Sequence, residues 1–293
     1  MKILNKIHSM VIYGCFRGMN MHLENLFLEV TRNCTLECEH CLRGDRQRVN
    51  MDNSVLESVF KDVKKVDRLL LTGGEPLLAI QTLECLTEMI YKGEIEVKHI
   101  TLITNGTVLS GRVLYMLHEL QDHCELSLKL STDIFHEIEL KKRNLLDLRN
   151  RNLAIYKRNG FFDFSEYSTN EYSNFFTSLT NKGRCQRLTP ERLEQINGMS
   201  RRQYLINTIA TTTHPYTDIK DDYVTGNISV DVNGNLISYG LSFEEEDKEA
   251  YESGINVVDM GCREAINAFI KRHQESYAAS VKMMLNMTEK KSQ

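Results

Sequence analysis

Tryptophan is absent from this chain and proline occurs only three times in 293 residues, so no Pro-rich linker divides it. No apolar run approaches the roughly 20 residues that a membrane-spanning helix needs. Charge of one sign is not in excess. A net charge of −4 gives no bulk electrostatic case for nucleic acid or a membrane surface as partner. The early apolar stretch Met10–Phe16 is short, contains Gly14 and has no small-residue cleavage site, so a signal peptide is not expected. Solenoid-type repeats are also missing. The rest is ordinary for a globular protein, with 41% apolar and 26% charged residues and enough chain for one large domain plus an appendage.

Cysteine is the residue in good supply, with eight copies. Without an export signal, and with three of the eight clustered, a reduced cytoplasmic compartment and a metal site are expected rather than a disulfide framework. The cluster is Cys34-x-x-x-Cys38-x-x-Cys41, directly after the short apolar strand Leu26–Val30. Three thiolates so close together can converge on one centre, but a closed zinc site or a ferredoxin-type site wants four protein ligands. A [4Fe–4S] cluster held by three cysteines leaves one iron open, which points to chemistry at that iron. The alternative is a zinc site completed by His40 or a distant residue. An adjacent His is poorly placed for that, and the glycine loop described next would go unexplained.

Strand, loop and helix alternate four times. The strands are Leu26–Val30, Arg68–Thr72, His99–Thr104 and Leu126–Ser131. Helical apolar spacing follows the first three: after a capping box at Ser54–Glu57, again through Leu83–Ile90 up to Gly93, and from Ser110 onward. That alternation predicts parallel βαβ units, whose ligands lie beyond the carboxyl ends of the strands. Cys34–Cys41, Gly73-Gly-Glu-Pro76, Asn105-Gly106 and Ser131–Asp133 all fall at that edge. Each has a plainer reading: a strand-to-helix turn for the glycines and for Asn105, a helix cap for Ser131 and Asp133, a solvated loop for His40. Residues 136–158 read as helical, 160–164 as a fifth strand and 204–210 as a sixth strand or a helix. Asn227–Val232 and Asn235–Ser238 flank an Asn-Gly turn and predict a hairpin. The acidic run Glu244–Asp247 reads as a solvated loop, and the basic residues between Lys141 and Arg158 as a solvated helix face.

On these residues the chain resembles the radical S-adenosylmethionine (radical SAM) superfamily. The Cys34/Cys38/Cys41 spacing and Gly73-Gly-Glu-Pro76 carry the likeness, supported by Thr104-Asn-Gly106 and the Ser/Thr/Asp end of the fourth strand. The resemblance implies an α/β fold, a partial (βα)6 TIM-like barrel over residues 24–220, preceded by an N-terminal extension over 1–23. It implies one [4Fe–4S] cluster on Cys34, Cys38 and Cys41, with SAM chelating the open iron. Gly73 and Gly74 would let backbone carbonyls approach the methionine ammonium, with Glu75 supporting that edge. His40 would pack near the adenine, Ser131 with Thr132 or Asp133 would face the ribose, and Asn105 would join the cofactor contacts.

Residues 221–293 resemble, through Gly183-Arg184 and the hairpin, the SPASM or twitch extensions of peptide-modifying members, but without the auxiliary-cluster cysteines. Only Cys185 and Cys262 lie beyond Cys124. The implied activity is reductive SAM cleavage to a 5′-deoxyadenosyl radical that abstracts hydrogen. A peptide or protein is the first substrate class, and a flavodoxin or ferredoxin the type of electron donor. A small-molecule or nucleotide-modifying member, of the deazaguanine-synthase or activating-enzyme type, is the alternative. A non-catalytic iron–sulfur redox sensor is the alternative of another class.

Overall fold

In the computed structural model, which describes residues 20–131, 133–161, 183–189, 191–192, 218–220, 222–238 and 241–274, β1 (Met21–Thr31) runs through the centre of a sheet. Glu29 and Thr31 are buried on one face of β1 and Leu26, Leu28 and Val30 on the other, so the strand is covered on both faces, the second by apolar side chains. Each such side chain contributes about 1.5–3 kcal/mol on burial. α1 (Asn53–Asp62) leads into β2 (Val63–Gly73), α2 (Ile80–Tyr91) into β3 (Glu96–Thr104), and α3 (Gly111–His123) into β4 (Glu125–Leu130). β1 to β4 pair in parallel and in sequence order. The chain is α/β with a parallel sheet, as its alternation implied.

Local chemistry sets the helix ends. Ser110 caps α3 by accepting the Val113 N–H, as expected. α1 differs: its cap is Asp52, two residues before the expected Ser54, and its carboxylate accepts the Ser54 N–H at 2.9 Å, which leaves Ser54 inside the first turn. The helical reading of 136–158 resolves into α4 (Ile134–Lys142) and α5 (Leu146–Arg158), broken at Asn144, whose φ is 56°. α5 is not a purely solvated face. Arg149 is buried and donates to the Ser131 carbonyl at 3.0 Å, and Asn152 donates to the Gly106 carbonyl at 3.1 Å.

The C-terminal hairpin is present, but its place is unexpected. β6 (Tyr223–Val230) pairs antiparallel with β5 (Asp218–Lys220) and with β7 (Leu236–Ile237), turning at Gly234 with φ 86°. It also pairs parallel with β1, from His22↔Tyr223 to Leu28↔Val230. The strand order is therefore β4-β3-β2-β1-β6-β5, and the division expected at 220/221 falls inside this sheet. α6 (Phe243–Ser253), the short α7 (Val257–Met260) and helical backbone over 262–274 follow. The fifth and sixth strands expected near 160–164 and 204–210 lie largely outside the described residues, as do Cys15, Thr132 and the last residues, 282–293.

Candidate cofactor site

Parallel register brings the strand ends together: Thr31 pairs with Gly73 across β1 and β2, and Thr104 with Leu130 across β3 and β4. The chain leaves β1 into the cysteine loop, which returns to the strand end where Thr31 bridges Asn50. The Thr31 hydroxyl donates to the Asn50 side chain at 2.6 Å and accepts the Asn33 N–H at 3.0 Å. All three thiols of Cys34, Cys38 and Cys41 line one cavity of about 220 Å³. Burial pushes the Cys34 thiol up to about 11, and burial with the neighbouring sulfurs pushes Cys38 up further. A metal centre that binds Cys34 and Cys38 must therefore displace protons that burial holds more tightly.

The glycine loop is seated on the cysteine loop. Gly74 N–H donates to the Thr31 carbonyl and Glu75 N–H to the Asn33 carbonyl, both at 2.8 Å. A Cβ on Gly73 would stand 2.0 Å from the Thr31 oxygen, and one on Gly74 2.1 Å from the Asn33 oxygen. Gly73 also holds φ 128°. The lack of side chains therefore serves first to let two backbones touch. Both glycines still line the cavity.

Glu75 is fully buried and is not among the residues that line the cavity. One carboxylate oxygen accepts the Thr104 hydroxyl at 2.8 Å and the Leu77 N–H at 3.2 Å, and the other accepts the Asn105 N–H at 2.7 Å. It ties the end of β2 to the end of β3. Burial lifts its pKa to about 7 even against those three bonds. Asn105 points its amide toward the cysteine loop, donating to the Thr35 hydroxyl at 3.0 Å and to the Cys34 sulfur at 3.6 Å.

On the far wall, His40 stacks on Phe135 with ring centroids 4.6 Å apart. Asp133 caps α4, accepting the Phe135 and His136 N–H groups at 3.0 Å, and its other oxygen lies 3.2 Å from His40 Nε2 and 2.5 Å from His136 Nδ1. Burial alone would raise the Asp133 pKa, but the bonds from His136 and His40 hold it well below the usual carboxylate range. With its two oxygens so occupied, Asp133 orients two imidazoles. Ser131 and His136 line the cavity, and Asp133 does not. Cys38, His40 and His136 offer ligand atoms within 4.8 Å of one another.

The acidic run is where the structure departs most from the sequence reading. Glu244–Asp247 is no solvated loop: it lies in α6, and Glu246 is fully buried. Arg32, just before Cys34, is 2% exposed and meets Glu29 at 3.2 Å, Glu246 at 3.3 Å, Asp231 at 3.5 Å and Asp247 at 2.5 Å. Arg43, just after Cys41, meets Glu246 at 2.5 Å and Glu29 at 3.1 Å. Both guanidiniums lie over the Phe243 ring, at 5.0 and 4.8 Å. The Phe243 N–H donates to the Arg43 carbonyl at 2.9 Å. Apart from Glu29, these partners lie some two hundred residues along the chain from the cysteines, and only the repeated Arg beside the cysteine loop hinted at them.

Sequence reasoning also missed Arg184 as a site residue. Its N–H donates to the Cys41 carbonyl at 2.9 Å and its side chain lines the cavity. Cys262 is buried in the apolar core, and Cys85 and Cys124 pack against that core as small hydrophobes. The side chain of Cys185 lies outside the described residues.

Three sulfurs on one cavity suit a cluster held at three irons. Among the described residues no fourth cysteine reaches it, and the Gly73–Gly74 backbone lies alongside. The family model of the radical SAM superfamily matches residues 28–172. A putative L-lysine 2,3-aminomutase of Aquifex aeolicus (strain VF5) is 31% identical over 93 residues, covering 29% of this chain and 24% of that protein. Molybdenum cofactor biosynthesis protein 1 of Drosophila melanogaster is 28% identical over 129 residues, covering 41% of this chain and 22% of that protein. The chain thus spans about a quarter of the length of these curated relatives. Among solved structures, anSMEcpe with bound AdoMet and a Cp18Cys peptide matches at TM-score 0.41 and 16% identity, covering 83% of this chain and 80% of that one. Streptococcus suis SuiB bound to S-adenosylmethionine matches at TM-score 0.37 and 12% identity, covering 80% and 64%.

Proposed function

Because the chain carries a radical SAM superfamily domain over residues 28–172, we propose that it is a radical SAM enzyme. A [4Fe–4S] cluster on Cys34, Cys38 and Cys41 would supply the electron that cleaves SAM to a 5′-deoxyadenosyl radical, which takes hydrogen from a substrate. The observation that carries this reading is the convergence of three thiols and the Gly73–Gly74 backbone on one cavity at the carboxyl edge of a parallel sheet.

The chain's own residues then have distinct tasks. Asn105 orients Cys34 through its amide. Glu75 ties the end of β2 to Thr104 and Asn105 at the end of β3, and the Gly73–Gly74 main chain just before it would face the methionine end of SAM. His40, stacked on Phe135 and held by Asp133, offers a flat face for adenine. Ser131 and His136 supply polar atoms for the ribose. Leu36, Ile103 and Phe243 exclude water around these groups.

A peptide or protein substrate is the class we favour, on the sequence resemblance of Gly183-Arg184 and the Asn-Gly hairpin to the extensions of peptide-modifying members. A flavodoxin- or ferredoxin-type donor and a cytoplasmic setting complete the reading. Among the described residues no helix is long and apolar enough to cross a membrane. A second reading, a mononuclear metal on Cys38, His40 and His136, is favoured by their 4.8 Å grouping. One experiment separates them. Protein purified and reconstituted without oxygen is reduced with dithionite in the presence of SAM. About four irons per chain and release of 5′-deoxyadenosine are expected. One zinc per chain and no deoxyadenosine would overturn the proposal.

A further inference from the structure

We propose that Arg184 is the counter-charge of the cluster, a cation held against the three thiolates that makes the reduced state easier to reach. The inference rests on the cluster reading above and assigns to the Gly183–Arg184 segment a role in setting the reduction potential.

The argument begins with charge. Three thiolates around one cavity are anionic, and a buried anion needs a partner. Four arginines line the cavity: Arg32, Arg43, Arg46 and Arg184. Arg32 and Arg43 are neutralised by Glu29, Glu246 and Asp247. Arg46 pairs with Glu37 at 3.0 Å and donates to the Cys34 carbonyl at 3.1 Å. Arg184 alone of the four has no carboxylate within hydrogen-bond distance among the described residues. Its nearest is Asp45 at 3.9 Å, an exposed group already held by Arg187 at 2.8 Å. The Arg184 side chain is 12% exposed, and its Nε is buried with no partner.

The backbone shows that this placement is built. Gly183 holds φ 55°, and a Cβ there would stand 2.2 Å from the Leu42 oxygen and 2.6 Å from the Gly44 nitrogen. Only glycine lets the chain lie flush on the end of the cysteine loop, where Arg184 N–H then meets the Cys41 carbonyl at 2.9 Å. From there the guanidinium lines the same cavity as the three sulfurs, so its field reaches the cluster position. The same field favours the extra negative charge that an electron brings.

The test is a redox titration of reconstituted, SAM-free protein followed by electron paramagnetic resonance, with Arg184→Gln and Arg184→Lys alongside wild type. In Arg184→Gln the ratio of reduced to oxidised cluster at a fixed potential should fall about tenfold, or about 59 mV for one electron. Arg184→Lys, which keeps the charge, should stay near wild type. If Arg184→Gln assembles no cluster while Arg184→Lys does, with equal thermal melts of the metal-free proteins, the counter-charge role is also supported. A wild-type potential in Arg184→Gln, or an equal fall in both variants, would overturn it. So would an unchanged potential with weakened SAM binding, since Arg184 would then serve the SAM carboxylate. Failure of wild type itself to take up iron would instead refute the underlying cluster reading.

Discussion

Glu75 accepts the backbone N–H of Asn105 at 2.7 Å across the gap between β2 and β3, inside a pocket closed to solvent. A carboxylate there is bonded three times and is still driven toward its neutral form by burial, with its pKa raised to about 7.

That shift has a pH consequence. A carboxyl whose folded pKa is raised binds more protons in the folded state than in the unfolded one between about pH 4.5 and 7. Its contribution is therefore full below the unfolded value and is lost as pH rises through the folded one. The loss is on the order of 3 kcal/mol, at about 1.4 kcal/mol per pH unit. Glu75→Gln should flatten that slope while lowering stability by about 1–3 kcal/mol, because its NH2 cannot accept from Thr104 or Asn105. Urea unfolding of the metal-free proteins at pH 5 and pH 7.5 reads both effects. An identical slope in the two proteins would count against the buried-carboxyl account.

Gly74→Ala should separate the glycine loop from the cysteine loop. Its Cβ would sit 2.1 Å from the Asn33 oxygen, where no L side chain fits without moving backbone. Overpacking of this kind costs about 1–3 kcal/mol. Iron uptake is expected to fall, with the far-UV circular dichroism of the metal-free protein retained. A variant that loads iron as wild type does would show that the close approach is not required.

Arg32→Ala removes the cation shared by Glu29, Asp231, Glu246 and Asp247. Breaking a buried pair by taking away one partner costs about 3–5 kcal/mol, and here Asp231 stays buried without its cation while Glu29 and Glu246 are left to share Arg43. Denaturant unfolding should show that loss, with little dependence on salt since the network is shielded from solvent. A difference below about 1 kcal/mol, the range of exposed pairs, would mean that the network is strapped together by other contacts.

Cysteine variants should divide cleanly. Cys34→Ala, Cys38→Ala and Cys41→Ala are each expected to lose iron and 5′-deoxyadenosine formation. Cys262→Ala should keep its iron and lose only stability, since Cys262 is packed in the apolar core with its thiol raised to about 12 by burial. Iron content together with thermal melts decides this. Iron loss in Cys262→Ala at unchanged stability would place that thiol at the cluster.

Much of the site was legible because it is local in the chain. The cysteine spacing, the Gly73–Pro76 loop and the strand ends that carry them are read from short runs, and parallel pairing then aligns Thr31 with Gly73. Asn105 was legible as a position but not as the orienter of Cys34. Asp133 read equally well as a cap or a ligand contact, and the structure uses it to cap α4 and to hold two imidazoles. The acidic run misled because charge in sequence says nothing of burial. Glu246 is buried only because Arg32 and Arg43 reach it from the other end of the chain.

Taken alone, the order of residues determined the repeating strand–helix units, the edge at which chemistry would gather and the three thiols that would serve it. Those features depend on periodicity, turn chemistry and spacing, which act over a few residues. Tertiary structure decided what surrounds the thiols: β6 beside β1, α6 closing over the cysteine loop, and Arg184 turned into the cavity. These depend on which distant charges and backbones can share a buried space, and that is settled only when the chain closes on itself.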